Sequence, residues 1–221
     1  NPSPFGGYLD YGTYQIISAS PERFLQMRDK KVQTRPIKGT RKRGATPEED
    51  QMLRKELEQS GKDKSELLMI VDLERNDLNR VCRPGSVKVT ELFTVEAYAT
   101  VFHLVSNVEG ELTEDRDVMD LMEAAFPGGS ITGAPKYRAM EIIDELENKK
   151  RGVYGGTVGY LGFDGNIDTC IAIRTVVFKD GKGYVQAGAG IVNDSVPEKE
   201  FMETKNKALA VVNAVKEAAR L

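Results

Sequence analysis

Alternating apolar and polar positions open the chain, and stretches with a three-to-four-residue apolar period follow. Residues 6–10 and 13–18 read as short strands around the turn Asp10-Tyr11-Gly12, and 23–28 with 31–35 as a hairpin across Asp29-Lys30. Thr46-Pro47-Glu48-Glu49 has the form of a capping box with Pro at the first helical position, which predicts a helix over about 47–59, ended by Gly61. A second helix is expected over about 63–81, until Pro84-Gly85 turns the chain. Strands are predicted at 86–95 and 98–110. In the second, Val101, His103, Val105 and Asn107 share one face, and Phe102, Leu104 and Ser106 the other. Helices at 115–125 and 135–148, strands at 154–163, 168–178 and 184–191, and a helix over 197–220 complete the reading. Strands and helices come in runs, which argues an α+β fold with largely antiparallel pairing. No repeat, low-complexity segment or linker interrupts it, so the expectation is one domain.

Composition narrows the function. The chain has 221 residues, 40% apolar and 29% charged, enough for a sizeable core. A net charge of −3 gives no general attraction to nucleic acid or anionic membrane, so an anion site must be local. No apolar run is long enough to span a bilayer, and no signal-peptide pattern opens the chain. Cys82 and Cys170 match no metal or disulfide spacing, so a cytoplasmic location is the expectation. With His103 the single histidine, a metal site would use carboxylates, which favours Mg²⁺ over zinc. The abrupt start Asn1-Pro2-Ser3-Pro4-Phe5 reads as the edge of a piece of a longer polypeptide.

Several segments carry candidate chemistry. Lys38 sits in the glycine-containing turn Pro36-Ile37-Lys38-Gly39-Thr40, after Glu22 in Ser20-Pro21-Glu22. An amine and a carboxyl in one pocket can divide nucleophilic and acid work; outside a pocket, the lysine is a solvated surface charge. Glu66 is expected in the first turn of the second helix, continuing the stripe Met69, Ile70, Leu73. It is either a cation ligand or a carboxylate favoured by the helix dipole. Glu200, Glu203 and Lys207 fall on one face of the final helix. They make either a surface ladder or, with Glu66, a clamp on one Mg²⁺. Pro127-Gly128-Gly129-Ser130-Ile131-Thr132-Gly133-Ala134-Pro135-Lys136 is a glycine-rich loop entering a helix, but it lacks the order of a nucleotide phosphate loop. Carboxylate binding is the reading. Ala187-Gly188-Ala189-Gly190-Ile191 admits close backbone approach by a ligand, or is a glycine bulge. Arg174, in an apolar strand, calls for an anionic partner such as a carboxylate. His103 lies mid-strand, either a core histidine or a site group.

These segments, together with Ser20–Phe24, Val71-Asp72-Leu73-Glu74-Arg75-Asn76-Asp77-Leu78, Phe102–Asn107, Asp168–Thr175 and Gly188–Val192, resemble the chorismate-utilising enzymes. That group includes anthranilate synthase component I, aminodeoxychorismate synthase component I, and the isochorismate and salicylate synthases. The resemblance covers nearly the whole chain. It implies an antiparallel β-sandwich core wrapped by helices, with residues 1–221 one chorismate-binding catalytic domain and the C-terminal portion of a longer chain. Lys38 stands where anthranilate and isochorismate synthases typically carry Ala. Within the group it points, as does the look of Phe126–Gly133, to aminodeoxychorismate synthase component I, a transferase of the 4-aminobenzoate branch toward folate.

The mechanism implied is amination of chorismate to 4-amino-4-deoxychorismate. Mg²⁺ bridges the ring carboxylate to Glu66 and Glu203, with Glu200 nearby. Arg174, Tyr154 and the amides around Gly188 and Gly190 hold carboxylates. Glu22 protonates the departing 4-hydroxyl as Lys38 attacks ring carbon 2, ammonia then adds at carbon 4 and expels the lysine amine, and His103 matches the family's active-site histidine. Ser130 and Thr132 match loop residues lining the substrate, and Gly39, Thr40, Gly133 and Lys207 complete the expected substrate-binding set. Neither Cys82 nor Cys170 sits in a plausible nucleophile setting, so ammonia is expected from a glutamine amidotransferase subunit. Two alternatives stand beside this reading: anthranilate synthase component I, which eliminates pyruvate after amination at carbon 2, and a non-catalytic fragment that only binds ligand or partner.

Overall fold

The turn at Asp10 shows how local chemistry sets the first element of the fold. Its carboxylate accepts a hydrogen bond from the Gly12 amide at 2.8 Å, and Gly12 adopts a φ of 75°. This closes β1 (Phe5–Asp10) onto β2 (Gln15–Ser20). The computed structural model describes residues 3–220; the outermost residues of the expected domain, 1, 2 and 221, lie outside it. The hairpin of β3 (Arg23–Arg28) and β4 (Lys31–Arg35) turns at Asp29 and Lys30, with φ of 50° and 65°. Two consecutive positive values are what a two-residue turn needs to match strand twist.

After β5 (Ile37–Lys42) comes α1 (Pro47–Gln59), where the Thr46 side chain accepts from the Glu49 amide. The reciprocal arm differs from a full capping box, since Glu49 reaches the Ala45 amide at 2.7 Å. Gly61 does not end this helix but begins α2 (Gly61–Asn79). Ser60 stands between the two helices, and its hydroxyl accepts from the Asp63 amide. The chain continues through β6 (Lys88–Ala97), β7 (Val101–Glu111), α3 (Val118–Ala125), the single turn α4 (Gly129–Thr132) and α5 (Lys136–Leu146). Then come β8 (Thr157–Leu161), β9 (Ile167–Ile171), β10 (Thr175–Lys179), β11 (Lys182–Val185) and α6 (Pro197–Ala218).

The strand expected over 168–178 is two strands. Arg174 takes a φ of 52° between β9 and β10, and the two lie in different sheets. Likewise the strand expected to reach residue 191 stops at Val185.

The chain divides into two compact units, where the sequence suggested one domain. The smaller comprises the residues up to Pro21, Lys149–Val158, and those from Cys170 onward. Its sheet runs β1-β2-β10-β11, with α6 against β11. The larger comprises Glu22–Asn148 and Gly159–Thr169. The sheet that it carries runs β5-β7-β4-β3-β9-β8, with β6 also on β7. Pairings of β7 with β4, β5 and β6 are all antiparallel. Flanked on both sides, β7 is buried from Leu104 to Val108 on both faces rather than alternating. Helices α1 and α2 pack on this sheet. The fold is α+β, with an antiparallel sheet core wrapped by helices, as the sequence indicated. Among the described residues no helix is long and apolar enough to cross a membrane.

Candidate active site

In the larger unit, several expected residues come together around β5. The Pro36–Thr40 segment is not a free turn: it enters β5, whose register against β7 shifts between Ile37 and Thr40. Gly39 occupies the irregularity at a φ of 79°, and a Cβ there would lie 2.8 Å from the Leu57 and Asp63 side chains. Its glycine therefore has a packing reason as well as any substrate-facing one. Glu22 is buried, and its Oε1 accepts from the Ile37 amide at 3.3 Å. Lys38 is half-buried and donates from Nζ to the Ser130 carbonyl at 3.4 Å, which joins the bulge to the glycine-rich segment. Thr40 stands opposite His103 in the ladder, with its hydroxyl 2.9 Å from Nδ1. The half-buried His103 ring meets Tyr98 edge-on.

The glycine-rich segment lies against α2. A Cβ on Gly129 would come 2.7 Å from Leu73 Cδ2, so any larger residue there would make the Leu73 side chain shift. Ser130 lies within α4, and the Thr132 hydroxyl donates back to the Gly128 carbonyl at 3.1 Å. Gly133 follows at a φ of 117°.

Glu66 is not where the helical pattern put it. Because α2 begins at Gly61, Glu66 is in its second turn and flanks the buried stripe Leu67, Ile70, Val71, Glu74, Asp77, Leu78. It pairs with Lys62 at 3.7 Å. The carboxylates on the stripe itself are Glu74 and Asp77, and the sequence analysis did not mark either as a site residue. Their signal was their spacing from Leu67 and Val71, at helical intervals that place acids inside. Asp77 Oδ2 accepts from Lys136 Nζ at 2.6 Å. Burial raises the Asp77 carboxyl above its ordinary range, against the lowering by Lys136. Glu74 accepts from the Thr34 hydroxyl at 3.0 Å. Its carboxyl is pushed well up, first by burial and then by Glu22.

The smaller unit gathers a second set. A Cβ on Gly188 would stand 3.1 Å from the Tyr154 hydroxyl, so that hydroxyl lies over the glycine backbone. Lys207 Nζ donates to the Gly188 carbonyl at 3.3 Å and pairs with Glu203 at 2.5 Å. The helical ladder between Glu203 and Lys207 is thus present, and Glu200, one turn earlier, is buried. Arg151 lies over the Tyr154 ring. Arg174 is half-buried at the strand break rather than in mid-strand, and its carbonyl accepts from the Ala19 amide at 3.2 Å. Gly190 lies in the irregular stretch after β11.

Among the described residues no group of three or more His, Cys, Asp or Glu side chains stands as a metal site. The donors expected for Mg²⁺, at Glu66, Glu200 and Glu203, are all carboxylate oxygens, the chemistry that a hard cation takes. Cys82 and Cys170 are buried and form no disulfide; burial pushes the Cys82 thiol up to about 11. A thiol so rarely ionised is a poor nucleophile.

Comparison with known proteins bears on this arrangement. The sequence model of the chorismate binding enzymes matches residues 1–213. Anthranilate synthase component 1 of Acetivibrio thermocellus is 54% identical over 221 residues, 100% of this chain and 45% of its own. Aminodeoxychorismate synthase component 1 of Bacillus subtilis is 49% identical over 215 residues, 97% of this chain and 46% of its own. The crystal structure of anthranilate synthase component I from Streptococcus pneumoniae superposes with a TM-score of 0.87 at 45% identity, covering 96% of this chain and 46% of that one. The chain spans about half the length of these relatives. Of eight such relatives, seven are named anthranilate synthase component 1.

That overturns the assignment to aminodeoxychorismate synthase, and with it the folate branch. Lys38, with the likeness of Phe126–Gly133 beside it, had carried that assignment. The broader resemblance is upheld: the chain belongs to the family of chorismate binding enzymes.

Proposed function

We propose that the protein carrying this chain is the chorismate-binding component of an anthranilate synthase, converting chorismate and ammonia to anthranilate, pyruvate and water. The observation that carries this reading is whole-chain similarity to relatives of that name, above the similarity to the aminodeoxychorismate synthase. Ammonia adds at ring carbon 2, the 4-hydroxyl leaves as water, and pyruvate is then eliminated. Hydroxide is a poor leaving group, and Glu22, buried beside the Lys38 bulge, is the acid that protonates it. His103 and Thr40 form the adjoining wall, with Gly39, Ser130, Thr132 and Gly133 on the substrate side. Lys38 is retained as an active-site residue. Attack of its amine on carbon 2 belonged to aminodeoxychorismate formation and is not carried over.

In this reading residues 1–221 serve as one chorismate-binding catalytic domain. Arg174, Tyr154, Gly188, Gly190 and Lys207 hold its carboxylates. Glu66, Glu200 and Glu203 would hold Mg²⁺, which supplies a positive charge to neutralise the ring carboxylate. Ammonia comes from a glutamine amidotransferase subunit, consistent with relatives named as a component 1. Two buried cysteines outside any disulfide accord with a reducing compartment, the cytoplasm.

The test is to supply full-length protein with chorismate, Mg²⁺ and ammonium at alkaline pH. Appearance of anthranilate fluorescence with one pyruvate per anthranilate is expected. A non-fluorescent aminated chorismate without pyruvate would refute the reading.

A further inference from the structure

The larger unit buries three carboxyl groups around one short run of chain. Glu22, Glu74 and Asp77 are 4%, 8% and 5% exposed. Glu22 binds the Ile37 amide and Glu74 the Thr34 hydroxyl, so both grip the run Thr34–Ile37 between β4 and β5. A small cavity lies there, lined by Glu74, Asp77 and Thr34 with Phe24, Leu25 and Gly129 among its apolar walls. The groups facing Glu74 are Glu22 from the segment entering β3, Thr34 from β4, Asp77 on α2 and Lys136 at the start of α5. Arg80 acts on Asp77. Lys136 is already committed to Asp77 at 2.6 Å and to the Ala125 carbonyl at 2.8 Å. Glu74 has the neutral Thr34 hydroxyl on Oε2.

We propose that Glu74 is a positioning residue for Glu22: the two carboxyls form a buried pair that shares one proton, and this pair is the proton reserve of the general-acid step. The proposal rests on the reading of Glu22 as that acid. Two like charges in one dry site do not both ionise, so the pair keeps a proton at pH values where an isolated carboxyl has lost it. The proton leaves with the 4-hydroxyl as water. Glu22 is left as carboxylate, and the pair is reprotonated from solvent before the next turnover. Glu74 never touches substrate; its work is to keep Glu22 able to donate. Its own elevated proton affinity, caused first by burial and then by Glu22, accords with this.

The experiment uses full-length protein and reads ammonia-dependent anthranilate formation against pH. Glu74→Gln keeps the Thr34 bond and removes the shared proton. Its kcat should fall most at neutral and alkaline pH, with the basic limb displaced acidward by about one pH unit or more. The KM for chorismate should stay within about twofold, since no substrate contact is lost. Glu74→Asp should restore part of the alkaline activity. An unshifted pH profile, or an equal loss at every pH, overturns the proposal. Glu22→Gln separates the two claims: if it retains wild-type activity, the acid assignment itself is wrong. If it is inactive while Glu74→Gln keeps the wild-type profile, only the pairing is wrong. Should Glu74→Gln fail to fold, infrared spectroscopy of the wild-type protein decides. A protonated-carboxyl band at neutral pH supports the pair, and its absence overturns it.

Discussion

Lys136 holds its ammonium nitrogen 2.6 Å from Asp77 Oδ2 and 2.8 Å from the Ala125 carbonyl, tying the start of α5 to α2 and to the end of α3. The segment between, 126–135, contains Ser130, whose carbonyl receives Lys38. One buried ion pair thus anchors both ends of the glycine-rich segment.

Removing one partner should expose that dependence. Lys136→Met leaves Asp77 buried without its cation and should cost about 3–5 kcal/mol of stability. Asp77→Leu combined with Lys136→Met should recover most of the loss. Urea unfolding of the three variants measures both, and equal stability of the single variant and wild type would refute the anchoring role.

Glu74 predicts a pH slope in stability. Its folded-state carboxyl is raised above the ordinary 4.5, so its contribution is complete below that value and is lost as pH climbs toward the raised one. Across that window stability should fall by about 1.4 kcal/mol per pH unit from this group. Glu74→Gln should flatten the slope, and unfolding at a series of pH values reads it directly.

Lys38 is the residue at which two chemistries part. Lys38→Ala in the full-length protein should still yield anthranilate, at reduced rate. If wild type forms a non-fluorescent product and only the Ala variant forms anthranilate, the lysine guards carbon 2 and the proposed product is wrong.

Metal dependence is checked by chelation. EDTA should abolish activity and Mg²⁺ restore it, while Glu66→Gln and Glu203→Gln should each weaken Mg²⁺ dependence of the rate by tenfold or more, about the loss of 1.4 kcal/mol or more. Activity indifferent to EDTA, or restored only by zinc, would contradict the carboxylate site.

Ammonia supply gives a separate test. Without a second subunit, full-length protein should use ammonium salts, better as pH rises and NH₃ forms, and leave glutamine untouched. Glutaminase activity from the purified protein alone would show that it contains the amidase function assigned to a partner.

Much of this molecule follows from local chemistry and was therefore legible in the chain. The Asp29-Lys30 hairpin, the Thr46 cap and the α+β character depend on neighbouring residues, and the structure has them where the pattern put them. The family, too, is written in ordered motifs, which matched over residues 1–213. The product specificity read from Lys38 and Phe126–Gly133 failed because a few positions were weighed above the similarity of the whole chain.

What tertiary structure decided is the set of contacts between residues far apart in sequence. Nothing local says that Arg174 breaks a strand at a φ of 52°, since apolar neighbours read as one continuous strand until two sheets claim its halves. Helical spacing puts Glu74 on the inner face of α2, but nothing local says that it meets Thr34 of β4, which only the packing of α2 on the sheet decides. The sequence by itself determined turns, caps and family, which need only a few adjacent residues. Burial determined which carboxyls meet, because charge and proton affinity change only when the fold removes water from around them.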